Sequence, residues 1–192
     1  MNKFMLFLLL LFTSAIASAQ GEAPAVINAS PRMNVYVETA RPAEQIRQDY
    51  PYDIALRTAT GDTLNSAEVL AKNGKPTILM FWLTTCMPCR YELAAISGKF
   101  NTWKKEADFN LYAISVDYPK NYEQFVKRVE ESNWPFPAYN DLNREFGVIM
   151  PGKLNGLPQT FILDKNGNIV HHKRKFVPGD EDNLFELVKS MQ

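Results

Sequence analysis

The sequence has few of the residues that bind metals or build covalent scaffolds. Its 192 residues include only two cysteines and two histidines. Two cysteines exclude a disulfide-rich scaffold, and a four-ligand zinc site would need carboxylates or both imidazoles to complete its ligand set. We therefore predict that the protein holds no metal ion, and no feature of the sequence indicates a cofactor.

The sequence also lacks an excess of charge of either sign. Lys and Arg total 21, Asp and Glu total 21, and the formal net charge is zero. The longest basic run is short and extends only from His171 to Lys175. Because nucleic-acid-binding domains carry a larger basic excess, the composition argues against a nucleic acid as partner. A hydrophobic content of 46% fits one soluble domain with an extension and is too high for intrinsic disorder.

Only the N-terminus contains a long hydrophobic run. Lys3 precedes an uncharged stretch from Phe4 to Ala19 that ends in Ala-Ser-Ala. A positive residue, an apolar core and a small-x-small site are typical of a secretory signal peptide, here cleaved before Gln20. The alternative is an uncleaved membrane anchor, but the stretch is shorter than the roughly 20 residues that span a bilayer. We therefore predict a signal peptide over 1–19 and a periplasmic or secreted protein.

The remaining residues divide into a lead-in and a domain. Residues 20–50 are rich in Ala, Pro, Gln and Glu without sustained periodicity, whereas residues 51–192 alternate between apolar runs and helical spacing. This order of elements predicts an α/β domain with a mixed sheet. Strands are predicted over Thr77–Leu83 and Asn110–Val116, and hairpins over Asp53–Leu64 and Thr160–His171. Helices are predicted over Ser66–Lys72, with Ser66 as the cap, and around Leu93–Trp103, Tyr122–Val129 and Leu184–Met191.

Both cysteines lie in one motif, Cys86-Met87-Pro88-Cys89, where the apolar strand over 77–83 gives way to a helix. Residues three apart on the first turn of a helix point the same way, so the two sulfurs can form a small disulfide ring and part again. Unpaired backbone N–H groups at the helix start favour a thiolate on Cys86. Cys89 is then the more buried residue and attacks a mixed disulfide on Cys86. The motif predicts dithiol–disulfide exchange.

Three other interpretations of the motif meet physical objections. An inert disulfide would close so small a loop that it adds little stability. Half of a zinc site lacks its second pair of ligands. A peroxidase cysteine of the peroxiredoxin type has Thr three residues before it, and this sequence has Leu83 at that position.

The stretch Phe81–Glu92 resembles the active-site segment of the thioredoxin superfamily, and most closely that of its extracytoplasmic TlpA/ResA-like branch. A second block, Gly156–Gly167, is similar to the G-x-P-x-T-F segment of that family, and Asp53–Lys75 resembles the extra N-terminal hairpin of the branch. The resemblance implies a thioredoxin-like α/β fold, with a central mixed sheet flanked by helices. It also implies that Pro158 is cis and faces the disulfide. The activity it implies is electron transfer between protein thiols outside the cytoplasm, commonly as a reductant.

The resemblance extends to other residues of the site. Glu92 matches an acidic residue that ResA-like members keep beside the cysteines, so it is the candidate proton handler, with a solvated helix charge as the alternative. Met80 stands where thioredoxin has a buried acid, and Thr85 stands where the family usually has Trp. The predicted catalytic residues are Cys86, Cys89, Glu92 and Pro158. The predicted substrate contacts are Trp82, Thr85, Met87, Leu157 and Pro158, although a core position is favoured over contact for Trp82.

Segments around these residues carry further expectations. The loop Ile149–Asn155 lengthens the approach to Pro158 and is predicted to be a surface insertion near the reactive sulfur. His171 and His172 are predicted to be surface residues without a ligand role. Residues predicted to pack beside turns are Tyr50, Tyr52, Trp134, Phe136 and Tyr139.

The sequence therefore predicts a thiol–disulfide oxidoreductase whose partners are protein thiols and disulfides. Met87 and Pro88 supply neither the charge nor the hydrogen bonds that stabilise the thiolate of a strong oxidant, which predicts a reductant supplied by a membrane electron donor. The alternative function is a thioredoxin-fold peptide-binding or chaperone module without redox turnover. No feature predicts the oligomeric state.

Overall fold

The described chain is built around one mixed sheet of seven strands. The computed structural model describes Tyr50 and residues 52–192. The predicted signal peptide over 1–19 and the predicted lead-in over 20–50 lie outside the described residues, Tyr50 excepted. Within the described part, no helix is both long and apolar enough to cross a membrane.

The sheet combines a parallel centre with antiparallel outer strands. The strands are β1 Ala55–Arg57, β2 Thr63–Asn65, β3 Thr77–Trp82, β4 Asn110–Ser115, β5 Ala138–Asp141, β6 Gln159–Leu163 and β7 Ile169–Arg174, in the order β2-β1-β5-β4-β3-β6-β7. β4 is parallel to β3 and to β5, whereas β6 is antiparallel to β3 and β1 is antiparallel to β5. The outer pairs β1–β2 and β6–β7 are antiparallel hairpins. The predicted mixed sheet and both predicted hairpins are confirmed.

Helices cover both faces of the sheet. They are α1 Ser66–Val69, α2 Met87–Glu106, α3 Tyr122–Ser132, α4 Phe146–Ile149 and α5 Asp180–Lys189, with 3₁₀ turns over Pro119–Asn121 and Pro151–Leu154. On one face, α2, α3 and α5 pack against Ile78 and Met80 of β3. On the other face, Leu79 and Phe81 of β3 pack with residues of α4 and its surroundings. Every residue of β3 is buried, as its continuous apolar run predicts.

Asn65, and not Ser66, caps α1, so the predicted cap is wrong. Asn65 Oδ1 accepts a hydrogen bond from the backbone N–H of Ala67 at 2.7 Å. Ser66 is buried inside the helix start, and its hydroxyl donates to the carbonyl oxygen of Tyr52 at 2.5 Å. The helix is also shorter than the predicted span over 66–72. Ser66 therefore ties the helix to the segment before β1.

β5 and α4 are missing from the predicted elements. β5 ends in Asn140 and Asp141, which are residue types depleted in strands. Both side chains are buried, and each has a hydrogen-bond partner there. The Asn140 amide donates to the Ser115 carbonyl oxygen at 3.4 Å, and the Asp141 carboxylate accepts from the Phe146 N–H at 2.9 Å. These tertiary contacts override the local propensity. Tyr139, predicted to lie beside a turn, lies within β5.

Candidate active site

The two cysteines lie where the buried strand β3 ends and α2 begins. Cys86 is the N-cap residue of α2, and a disulfide joins it to Cys89 with the two Cα atoms 5.3 Å apart. Cys86 is half-buried, whereas 0% of the Cys89 surface is exposed. The Cys89 backbone N–H donates to Cys86 Sγ at 3.2 Å. The outer sulfur therefore lies at the helix start and the inner one in the core, which is the predicted placement.

A buried carboxylate that the sequence analysis does not predict fixes the loop before Cys86. Asp117 follows β4, and only 1% of its surface is exposed. Its carboxylate accepts hydrogen bonds from the Thr84 N–H at 2.8 Å, the Thr84 hydroxyl at 2.9 Å and the Ser115 hydroxyl at 2.7 Å. β3 and β4 are parallel neighbours, so their carboxyl ends meet at one edge of the sheet, and there Asp117 reaches the loop. The one signal in the sequence is an Asp directly after the predicted strand over 110–116.

We expect Asp117→Ala to lower the free energy of unfolding. The substitution removes the acceptor of three hydrogen bonds and leaves the Thr84 donors buried. Each buried group left without a partner costs about 1–3 kcal/mol. Urea unfolding of the oxidised protein at pH 7 measures the loss, with Glu130→Ala at an exposed position of α3 as the control. A loss no larger than that of the control would contradict this role.

Glu92 lies on the same face of α2 as Cys89, one turn further along. Only 4% of its surface is exposed, and the Thr160 hydroxyl donates to Glu92 Oε1 at 3.1 Å. Burial raises the pKa of Glu92 from 4.5 to about 7, against the opposing effects of the Lys173 charge and the Thr160 hydrogen bond. The alternative of a solvated helix charge is therefore wrong. A carboxyl with a pKa near 7 suits the predicted role of proton handler, which stays a prediction.

Glu92 lies near the position of Met80 in the core. Because β3 has Met80 where thioredoxin has a buried acid, β3 itself supplies no carboxyl to the site. Met80 is directly opposite Thr160 on the neighbouring strand β6 and packs in the core that α2 covers. Glu92 bonds to this same Thr160. Glu92 of α2 therefore places a carboxyl next to Thr160, where β3 has only the thioether of Met80.

Replacing Thr160 with valine is expected to raise the pKa of Glu92 above about 7. The hydroxyl hydrogen bond favours the ionised carboxylate, and valine has nearly the same shape without the donor. An NMR titration of the Glu92 side-chain carboxyl carbon measures the change. Thr60→Val, at an exposed position between β1 and β2, is the control. An unchanged or lowered pKa would show that this hydrogen bond does not stabilise the carboxylate.

A groove of about 390 Å³ lies beside the disulfide and contains two of the five predicted substrate contacts, Thr85 and Leu157. Cys86 also contributes to its lining. The Leu157–Pro158 peptide bond is cis, as the resemblance implies. Pro158 is buried, and its carbonyl oxygen accepts a hydrogen bond from the Lys175 N–H at 2.9 Å. The outer sulfur and the segment before β6 therefore border one cavity.

Trp82 lies in the core, so its assignment as a substrate contact is wrong. Only 1% of its surface is exposed, and its ring packs against those of Trp134 and Phe125 with centroids 5.2 Å and 6.1 Å away. A substrate protein cannot reach a side chain in this position. Met87, by contrast, is 49% exposed next to Cys86 and lines a second cavity of about 510 Å³.

The loop Ile149–Asn155 is a surface insertion only in part, because two of its side chains enter the core while Gly152, Lys153 and Asn155 are exposed. Met150 and Leu154 are buried on the α4 face of the sheet. Lys153 and Asn155 line the groove beside the disulfide. The predicted nearness of the loop to the reactive sulfur is confirmed.

His171 and His172 are half-buried in β7, which corrects the prediction that both are surface residues. The His172 ring stacks on Phe161 with centroids 4.0 Å apart, and His172 Nε2 lies 2.9 Å from Gln159 Oε1. The Gln159 side-chain amide donates to the Asn155 carbonyl oxygen at 3.0 Å. This series of contacts fixes the backbone that forms the groove.

Comparison with known proteins places the chain in a family. A family model described as AhpC/TSA matches residues 46–172. The chain belongs to this family. It is 33% identical over 97 residues to a protein named thiol-disulfide oxidoreductase ResA from Geobacillus kaustophilus (strain HTA426), a match that covers 50% of this chain and 52% of that protein. In this match and in a second ResA match, the chain spans about half the length of the relative.

Two solved structures share the fold of this AhpC/TSA family member. An uncharacterized thioredoxin-like protein from Porphyromonas gingivalis is 29% identical with a TM-score of 0.62, covering 73% of this chain and 90% of that one. StoA from Bacillus subtilis is 21% identical with a TM-score of 0.56, covering 72% of this chain and 98% of that one. The thioredoxin-like fold implied by the resemblance is confirmed.

The described part of this AhpC/TSA family member shows neither the peroxiredoxin residue pattern nor a metal cluster beside its cysteines. Leu83 stands three residues before Cys86, where the peroxiredoxin pattern has a hydroxyl-bearing Thr, and Leu83 lines the groove. No group of three or more His, Cys, Asp or Glu residues within 52–192 is placed to hold a metal ion.

Proposed function

We propose that this protein is a thiol–disulfide oxidoreductase that reduces the disulfides of other proteins outside the cytoplasm. One observation carries the proposal: a half-buried Cys86 at a helix N-terminus is paired with a fully buried Cys89, and a buried Glu92 lies one turn further along. The name thiol-disulfide oxidoreductase that the ResA relatives bear supports the same chemistry.

In the reduced protein, the first step is attack by the Cys86 thiolate on a substrate disulfide. The sulfur caps α2, where unpaired N–H groups and the helix dipole favour its negative charge. A bond forms between Cys86 Sγ and one substrate sulfur while the substrate S–S bond breaks, and the released thiolate takes up a proton from water. The groove beside Cys86 and Leu157 admits an extended substrate segment to this sulfur.

Cys89 completes the reduction. Its thiol gives a proton to the Glu92 carboxylate, whose pKa of about 7 makes it available as a base at neutral pH. The Cys89 thiolate attacks Cys86 Sγ and forms the disulfide seen in the structure. The second substrate sulfur leaves as a thiolate and is protonated. Two electrons have then passed from the cysteine pair to the substrate.

The residues between the cysteines favour a reducing pair. A strong oxidant needs an unusually stable thiolate in its reduced form. Met87 and Pro88 supply neither charge nor a side-chain hydrogen bond, which leaves the helix N-terminus, worth about 0.3–1 kcal/mol for a nearby charge. An ionised Glu92 disfavours a second negative charge close by. Each turnover oxidises the pair, so a dithiol donor must reduce it again, and we assign that role to a membrane protein.

The N-terminal sequence supports a place of action outside the cytoplasm. Lys3, the apolar stretch after it and the small residues before Gln20 have the pattern of a signal peptide. A reductant in an oxidising compartment needs electrons from across the membrane, which agrees with the proposed donor.

Insulin reduction by dithiothreitol separates this function from a peptide-binding module without turnover. The wild-type protein in catalytic amount should accelerate precipitation of the reduced insulin chains. Cys86→Ser should not, because it keeps the groove and loses the attacking sulfur. Binding of insulin by the wild type without acceleration would favour the module and contradict the proposal.

A further inference from the structure

The groove beside Cys86 is bordered by three basic residues that the exchange chemistry does not use. Arg144 and Lys153 line it, and Arg174 donates a hydrogen bond to the carbonyl oxygen of the lining residue Asn155. We call Arg144, Lys153 and Arg174 the basic rim. None of the three forms a salt bridge with another described residue. The lining, all of it within the described chain, includes no Asp or Glu.

Arg144 is held at the groove by a ring contact and by its own turn. Its guanidinium lies 3.7 Å from the centroid of the Tyr118 ring, and its buried Nε has no hydrogen-bond partner among the described residues. The backbone of Arg144 has a φ of 61°, and Asp141 fixes this turn by accepting from the N–H groups of the next two residues. Stacking by the face leaves the terminal N–H groups of a guanidinium free of the ring, and these groups, not the buried Nε, are the donors for a carboxylate.

Arg174 places a second guanidinium at the same edge of the sheet. It pairs in register with Gln159, the residue that follows Pro158. Gly156 has a φ of 76°, and a Cβ at that position would lie 3.1 Å from Arg174 Nη2. The glycine therefore leaves room for the arginine against the loop. Lys153 is exposed on the same loop and adds an ammonium group.

We propose that the basic rim selects substrate segments that carry Asp or Glu next to their disulfide. The inference rests on the proposed function of Cys86. The whole chain has zero net charge, so the positive groove is a local separation of charge. An acidic segment in the groove meets the Arg144 guanidinium and the Lys153 ammonium, with the charge of Arg174 just outside the lining. Arg can bind a carboxylate through two parallel hydrogen bonds. A basic segment meets like charge there and reacts more slowly.

Two disulfide peptides of equal length test the preference, one with Glu and the other with Lys flanking its cysteines. Pre-reduced protein is mixed with each peptide in a single turnover, which needs no electron donor, and the second-order rate constant is measured at low and high salt. At low salt we expect the Glu peptide to react about tenfold faster than the Lys peptide. At 1 M salt, where the Debye length is about 3 Å, the two rates should converge.

Lys153→Glu is the most informative variant, because the side chain is exposed and the substitution reverses one charge of the rim. The Glu peptide should react about threefold more slowly and the Lys peptide faster than with the wild type. A gain with the Lys peptide cannot arise from misfolding. Lys165→Glu makes the same charge change in the exposed turn between β6 and β7, at the opposite end of β6, and should leave both rates unchanged.

The outcomes separate this inference from the function on which it rests. Reaction of neither peptide with the wild type would overturn the proposed function and the preference with it. Equal rates for the two peptides at low salt would overturn the preference alone, as would equal effects of Lys153→Glu and Lys165→Glu.

Discussion

Cys89→Ser is expected to accumulate mixed disulfides with substrate proteins, whereas Cys86→Ser is expected to form none. Cys86 is the half-buried sulfur at the start of α2, and Cys89 is fully buried behind it. Removing the buried thiol leaves the first attack intact and stops the second, so the intermediate persists. Removing Cys86 removes the first attack, and turnover should fall to the rate of the reductant alone.

Acid quenching, alkylation of free thiols and non-reducing electrophoresis measure the trapped species. The double variant Cys86→Ser/Cys89→Ser is the control for adventitious adducts and should show no bands of higher mass. Trapping by Cys86→Ser in place of Cys89→Ser would reverse the assigned order of attack.

Glu92→Gln is expected to stabilise the protein above pH 7 and to have little effect near pH 4. Burial raises the pKa of Glu92 from 4.5 to about 7, so the native state binds this proton more tightly than the unfolded chain does. Below pH 4.5 the carboxyl is protonated in both states, and its contribution to stability is fully present. As the pH rises through about 7, that contribution is lost, because ionisation in the core is disfavoured.

The size of this effect follows from the pKa difference. One pKa unit corresponds to about 1.4 kcal/mol. The rise from 4.5 to about 7 therefore amounts to about 3 kcal/mol lost between acid and alkaline pH in the wild type. Urea unfolding at a series of pH values measures it, and the exposed Glu130→Gln should retain the wild-type slope. A slope that Glu92→Gln leaves unchanged would show that Glu92 is not the group responsible.

The same variant should slow exchange without preventing the first attack. Gln cannot accept the Cys89 proton, so the mixed disulfide on Cys86 should live longer at pH 7 than in the wild type. In the wild type, the lifetime of the mixed disulfide should change with pH around 7, and in Glu92→Gln this pH dependence should be absent. Wild-type lifetimes at every pH would exclude Glu92 as the proton acceptor.

The sequence predicts those parts of the molecule that local spacing determines. The apolar run of β3 is typical of a strand buried on both faces, and the change to helical spacing after it places Cys86 at a helix start. The turn residues of both hairpins and the apolar stripe along α5 are also patterns that a short stretch of sequence contains by itself. For this reason the fold and the position of the cysteine pair follow from the chain itself.

The environment of the cysteines depends on contacts between residues far apart in sequence, which local spacing does not determine. The hydrogen bond between Thr160 and Glu92 joins residues 68 positions apart, and that between Thr84 and Asp117 joins residues 33 positions apart. No local pattern distinguishes a buried Glu92 from a solvated one on an amphipathic helix. The loop before Pro158 was equally ambiguous, because the burial of Leu154 depends on a core that only the assembled sheet provides.

The reduction potential of the Cys86–Cys89 pair tests the central claim most directly. Purified protein is equilibrated with glutathione buffers of graded ratio, and the fraction of oxidised pair is read after acid quenching. Because neither Met87 nor Pro88 stabilises the Cys86 thiolate, we predict a potential nearer to the thioredoxin value of about −270 mV than to the value of about −120 mV of a strong oxidant. A potential above about −150 mV would make the protein an oxidase and contradict its assignment as a reductant.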